Sequence, residues 1–402
     1  MKYIMGIAFI LIIGLFHISN SFACHRTPAN QPTCIDMEVD KDGNIHVVYI
    51  DYAPNNVFYI RSNDRGITWS SPVSIHVSNK EAKRPRIAVA KTGVIHVIWV
   101  ETGKRNGRVL VNSSVDGGAT WSTPVRIALT NGSTDVSTFG KSKVYAIWKS
   151  DNPPDIFFKR SNDMGMTWNR KVNLSNSPGL EEHPVVTVSQ TGKIYAVWEE
   201  EGPVGVVPPG TYYVYFSLSA DYGRTWSPPQ HLCGSVGDFL RPQIHIDNGG
   251  HIHMVWSDNR LGVKRETFYC VSADEGTTWS SPVNVSGTAG DSLRGYVTTD
   301  SFGKVYVTWE DTTNVPKEDI FFSSSNDGGA TWSNRMNISN SVIRSYRAPI
   351  GTDGMDNMYV VYEEVKKDSF SGKRMSNIFF TRSLDGGITW SQSVSLFDWR
   401  LP

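Results

Sequence analysis

The stretch Ser325-Asn-Asp-Gly-Gly-Ala-Thr-Trp-Ser333, SNDGGATWS, decides the fold because the chain keeps returning to it. Near-copies begin at Ser62, Ser114, Ser161, Ser219, Ser272 and Ser383, so there are seven, spaced 52, 47, 58, 53, 53 and 58 residues apart. Self-similarity at a period of about 50 residues is the mark of a repeat architecture, in which one supersecondary unit is stacked many times.

The text between the boxes repeats as well. In the fifth unit, LRPQIHIDNGGHIHMVWSDNR is followed by a variable stretch and then by ETFYCVSADEGTTWSSPVNVSG. Short β-branched and aromatic runs divided by turn residues predict strands. Strand A is expected at Arg241–Asp247, strand B at His251–Ser257, strand C at Thr267–Ser272 and strand D at Pro282–Val285, with the box between C and D. Seven such units predict an all-β, seven-bladed β-propeller with four-stranded antiparallel blades. The blades fall at about residues 31–78, 79–130, 131–178, 179–235, 236–288, 289–341 and 342–402 of a single domain, 24–402. Each unit is continuous, so closure needs no strand exchanged between termini, though residues 24–32 could add an edge strand. The box acids Asp64, Asp116, Asp163, Asp221, Asp274, Asp327 and Asp385 are expected to organise turns, with Gly supplying positive φ and Trp inserting between sheets.

Residues 1–23 read as a secretory signal: one Lys, an apolar run from Tyr3 to Phe16, and small residues at Ser21 and Ala23. The apolar run is short for a membrane span. Export to a secreted or periplasmic location follows, with lipid anchoring at Cys24 as a lesser alternative. The four cysteines, Cys24, Cys34, Cys233 and Cys270, permit one or two disulfides in such a compartment. With 39 basic and 39 acidic side chains and no charged block, the composition argues against nucleic acid as a partner. No metal or cofactor motif stands out: Asp40-Lys-Asp-Gly-Asn44 reads as an A–B turn, and His46, His96 and His253 recur at one structural strand-B position. A monomer is expected.

Repeats of the form S-x-D-x-G-x-T-W resemble the Asp-box, or bacterial neuraminidase repeat, of the sialidase superfamily. The resemblance covers the chain after the signal and implies a propeller more specifically than it implies an activity. In sialidases three arginines from different blades hold the substrate carboxylate, a Tyr paired with a Glu is the nucleophile, and an Asp is the acid/base. Those enzymes normally have six blades and an early F/Y-R-I-P motif, whereas this chain has seven and offers Arg84-Pro85-Arg86-Ile87.

The face opposite the boxes is where a ligand would sit. Six residues before each A–B turn, the blades present Cys34, Arg84, Ser133, His183, Arg241, Arg294 and Arg347; two residues beyond the strand-B aromatic they present Asp51, Glu101, Ser150, Glu200, Asp258, Asp311 and Glu364. Equal spacing from the turn predicts that the two sets are cross-strand neighbours, forming repeated ion pairs. The functional alternative takes Arg84, His183, Arg241, Arg294, Arg347, Asp258, Asp311 and Glu364 as substrate-binding, because a guanidinium binds a carboxylate through two hydrogen bonds. For catalysis the resemblance suggests Tyr346, with Glu181, Glu182 or Glu199, and Asp238 or Asp291. The expected function is recognition of glycans or another extracellular ligand at the channel mouth. An exo-sialidase and a protein-binding scaffold are the alternatives.

Overall fold

The computed structural model describes residues 32–397 except 52–55, 77, 104–105, 203–210, 233–239, 314–316 and 368–373. The signal segment, Cys24, Cys233, Asp238 and the suggested extra edge strand lie outside the described residues. Seven antiparallel sheets follow one another along the chain, each made of consecutive strands in the order A-B-C-D. In blade five these are Leu240–Ile246, Ile252–Asp258, Glu266–Ser272 and Val283–Asn284. In blade seven strand A is split into Arg344–Tyr346 and Ile350–Thr352, both paired with Met358–Lys367. No helix occurs among the described residues.

Strand B explains why the repeats read as apolar runs. It is flanked by strands A and C and covered on both faces by neighbouring blades, so every residue of Ile95–Glu101, Ile252–Asp258 and Val305–Asp311 is buried. A strand buried on both faces shows a continuous apolar run where a half-exposed strand alternates. The cores lie between blades: Val48, Ile50 and Tyr59 of blade one pack with Ile87, Val97 and Trp99 of blade two. The ring closes in the same way, Ile35, Val47 and Ile60 meeting Tyr359, Val361 and Phe380 of blade seven.

The boxes fasten each blade to the one before. Ser325 Oγ donates to Asp327 Oδ1 at 2.7 Å and accepts the Gly329 N–H at 2.8 Å; Asp327 accepts from Thr331 N–H at 2.8 Å and Thr331 Oγ at 2.5 Å. The Thr331 and Ser325 hydrogen bonds hold the Asp327 carboxyl down to about 2. Gly329 sits at φ +96°, and a Cβ there would lie 2.0 Å from Tyr269 of blade five. The box Trp332 meets that same Tyr269 edge-on at 5.0 Å. Six box tryptophans find a Phe or Tyr in this way. Trp168 does not among the described residues, because blade two carries Val111 at the aromatic position; Trp168 packs against the cluster that holds Val111 instead.

Candidate functional site

The rim of the channel is shaped by a bulge that six blades share. Cys34, Arg84, His183, Arg241, Arg294 and Arg347 all have positive φ, between 46° and 57°. In each of these blades the A–B register slips at this point; in blade two, Lys83 pairs with Val100 and Arg86 with Ile98, leaving Arg84 and Pro85 opposite Trp99 alone. A bulky side chain at positive φ is rare, and a bulge re-aims the residue that carries it. Blade three has neither feature: its register through Thr134 and Trp148 is regular, and Ser133 has ordinary φ.

All seven of these rim residues line one cavity of about 80 Å³ at the channel mouth. Arg84, Arg241, Arg294 and Arg347 therefore converge with His183, and among the described residues no Asp or Glu lies on the lining. The cavity opens toward a wider channel of about 600 Å³, in which Arg86 stands between Asp36 at 4.0 Å and Asp135 at 3.7 Å. Cys34 is disulfide-bonded.

The expected pairing of these rim residues with Glu101, Glu200, Asp258, Asp311 and Glu364 is corrected by the bulge. The extra residue shifts the register, so Glu101 faces Ala82, Glu200 faces Glu181, Asp311 faces Ser292 and Glu364 faces Ser345. Asp258, Asp311 and Glu364 are buried away from the cavity. Asp258 and Asp311 accept the indole N–H of Trp256 and Trp309 at 2.8 and 3.1 Å, two residues back on the same strand face. The carboxylates that meet the rim are one residue earlier. Arg294 bonds Glu310, Arg347 Nη1 bonds Glu363 at 2.5 Å, and His183 Nδ1 lies 3.1 Å from Glu199, off-line for a hydrogen bond. Glu310 and Glu199 also accept the backbone N–H of Arg347 and Arg241 in the next blade, so they tie blades together as well.

The remaining two arginines are held less. Arg84 donates to the Asn131 carbonyl at 2.9 Å. The Arg241 guanidinium makes no hydrogen bond among the described residues, and burial together with neighbouring Arg294 pulls it down to about 10. Glu182 acts on Arg84, and Glu199 and Glu310 on the Arg241 guanidinium, through charge without a hydrogen bond among the described residues, so guanidinium N–H groups remain to receive an anion.

Of the suggested catalytic residues, Glu199 alone among the described residues meets the rim. Tyr346 hydrogen-bonds Glu318 at 3.2 Å beside Arg344, off the cavity lining; Glu182 pairs with Lys149; Asp291 accepts the Arg265 N–H at 2.9 Å; and Asp238 lies outside the described residues. Tyr296, Glu310 and Glu363 are the site residues that sequence reasoning misses. Tyr296 lines the cavity two residues after Arg294, in phase along strand A, and that spacing is the signal that could have found it.

Residues 149–400, more than half of the chain, match the BNR repeat-like domain. The chain belongs to this family. No curated protein matches it. Among solved structures, the BNR repeat-like propeller resembles an ulvan lyase of a polysaccharide lyase family with TM-score 0.59 and 13% identity, covering 88% of this chain and 95% of that one. It resembles an α-L-arabinofuranosidase from Fusarium graminearum with TM-score 0.55 and 16% identity, over 75% of this chain and 96% of that one. A leech intramolecular trans-sialidase gives TM-score 0.50 and 14% identity, over 89% of this chain and 68% of that one. At these identities the likenesses establish the sialidase-like propeller fold, and the site must be argued from its own residues.

Proposed function

We propose that this protein is exported and recognises an acidic glycan at the channel mouth, through a carboxylate or sulfate group seated among Arg84, Arg241, Arg294 and Arg347. The observation that carries the reading is convergence: four arginines and a histidine from five blades meet around a cavity with no acidic side chain among the described residues of its lining. A volume of about 80 Å³ has room for several waters or one compact anionic group, so the rest of the sugar would lie across the rim. That the structural neighbours include an enzyme acting on a polysaccharide is in keeping with this. Isothermal titration with carboxylated and sulfated oligosaccharides, against neutral ones of the same size, tests it. Binding of the acidic series alone, weakened at least about tenfold in Arg241→Ala through loss of a charge-assisted hydrogen bond, is the expected result. Equal affinity for neutral and acidic series would sink the proposal.

The exo-sialidase reading keeps one favourable observation, the Tyr346–Glu318 hydrogen bond within reach of Arg347 in sequence. Because that pair is off the lining and Arg294 and Arg347 are engaged by Glu310 and Glu363, binding is the better supported of the two. Release of fluorophore from a fluorogenic sialoside, abolished in both Arg241→Ala and Arg347→Ala, would reverse that order.

A further inference from the structure

The side chains at the mouth are equipped for more than holding an anion. Resting on the reading of the mouth as a site for an acidic glycan, we propose that the acidic unit is a uronate and that the protein cleaves its chain by β-elimination, with His183 as base and Tyr296 as acid beside the arginines that neutralise the carboxylate.

Hydrolysis of a glycosidic bond ordinarily needs two carboxyl groups flanking it, and the sialidase route, the exception with a Tyr nucleophile, still needs a carboxyl group as its acid. Among its described residues the cavity lining supplies no carboxyl group, while it does supply His183, Tyr296 and four arginines. Elimination has other requirements. The carboxylate on C5 must be neutralised so that the adjacent C–H becomes acidic, a base must take that proton, and an acid must protonate the oxygen leaving C4.

Each requirement has a residue. Arg241, desolvated beside Arg294 and with no hydrogen bond to its guanidinium among the described residues, is placed to receive the carboxylate through two N–H groups. His183 has the Glu199 carboxylate 3.1 Å from Nδ1, near enough to stabilise by charge the imidazolium that forms when Nε2 takes a proton. Its positive φ, 46°, turns it into the mouth. Tyr296 is on the same lining, and burial raises its phenol, which therefore keeps its proton until negative charge develops on the leaving oxygen.

The step balances without a co-reactant. His183 Nε2 takes the C5 proton, the electron pair forms the C4=C5 double bond, the C4–O bond breaks, and Tyr296 protonates the departing sugar oxygen. Solvent then returns the proton from His183 to the Tyr296 phenolate. The products are a free alcohol end and a sugar whose new double bond is conjugated to its carboxylate.

The conjugated product absorbs in the ultraviolet, and hydrolysis products do not. Purified protein is incubated with polygalacturonate, alginate and hyaluronan across neutral and mildly alkaline pH, and binding of oligomers of each is measured in parallel. The expected result is rising absorbance with at least one of them. His183→Ala should lower the rate at saturating substrate at least about 100-fold, the usual scale for losing a general base. Tyr296→Phe should lower the rate likewise. Binding of uronate oligomers with no absorbance, or with absorbance unchanged in His183→Ala, overturns elimination and leaves the anion-binding reading standing. Failure of every acidic oligomer to bind overturns both.

Discussion

At the scale of single residues, the informative departures are places where one blade breaks the repeat. Blade four carries Glu181 opposite Glu200, where blades two, six and seven set Ala82, Ser292 and Ser345 opposite their carboxylates. Both glutamates are buried, with 0% and 7% exposure, and Glu181 Oε2 has no hydrogen-bond partner among the described residues. Burial, and then the charge of Glu200, raise Glu181 to about 7; Ser177 donates to its other oxygen at 2.8 Å, and Asp155 lies near Glu200. Because the folded-state value exceeds the unfolded one, the folded protein binds more protons between them. The stabilisation is fully present below about 4.5, the ordinary glutamate value, and is lost as pH rises toward 7. Glu181→Ser should remove that dependence and raise Tm at pH 8 relative to the wild type. Melting curves at pH 5 and pH 8 check this, and equal shifts for the two proteins would show that the pair does not titrate. Such an anomaly is readable in the sequence once blades are aligned, since Glu181 stands where others have Ser or Ala. The positive φ of Arg84 or Arg347 is not readable, because that conformation announces itself through Gly or Asn and here the residues are Arg, His and Cys.

At the scale of the element, the same contrast separates the box from the bulge. The box is legible because each part needs a particular residue: Asp327 accepts two bonds from Thr331, Ser325 serves Gly329, and no side chain larger than hydrogen fits under Tyr269. The bulge is not, because counting residues from the A–B turn assumes one-to-one pairing, and a single inserted residue exchanges the faces of everything beyond it. Hence Glu310 and Glu363, not Asp311 and Glu364, stand beside Arg294 and Arg347. The steric argument for the box glycine can be separated from the conformational one. Gly118, φ +89°, would place a Cβ 2.0 Å from the Tyr59 ring, whereas Gly165, φ +84°, would place it no closer than 3.5 Å, against Ser113. Alanine at either site incurs the backbone strain of about 1–3 kcal/mol. Gly118→Ala should lose about 1–3 kcal/mol more than Gly165→Ala, from forced repacking around Tyr59. Urea unfolding of the two variants is the comparison, and equal losses would mean that Tyr59 moves aside freely.

At the scale of the whole molecule, a propeller made of continuous blades has one junction unlike the rest. Between blades four and five, Phe216 packs on Trp279 at 5.7 Å and under Gly276; between blades seven and one, Phe380 packs on Trp69 at 5.2 Å and under Gly66. The local chemistry is nearly the same, yet only the first junction is also crossed by the chain running directly from one blade to the next. The seam at blade seven depends on its side chains, the Arg382 bond to the Arg65 carbonyl at 2.5 Å among them. Replacing either Phe by Ala should cost about 3–5 kcal/mol in local packing. If the ring opens at its seam, Phe380→Ala should go further and expose blades one and seven together, since the two blades that share this cluster are not consecutive in the chain. Hydrogen exchange followed by mass spectrometry should then show faster exchange in Ile45–Asp51 and Met358–Lys367 of Phe380→Ala, with Phe216→Ala changing only its own junction. Indistinguishable exchange patterns around the two lesions would mean that closure is held as firmly as any continuous junction. The mouth arginines, drawn from blades on both sides of that seam, would then share one rigid frame.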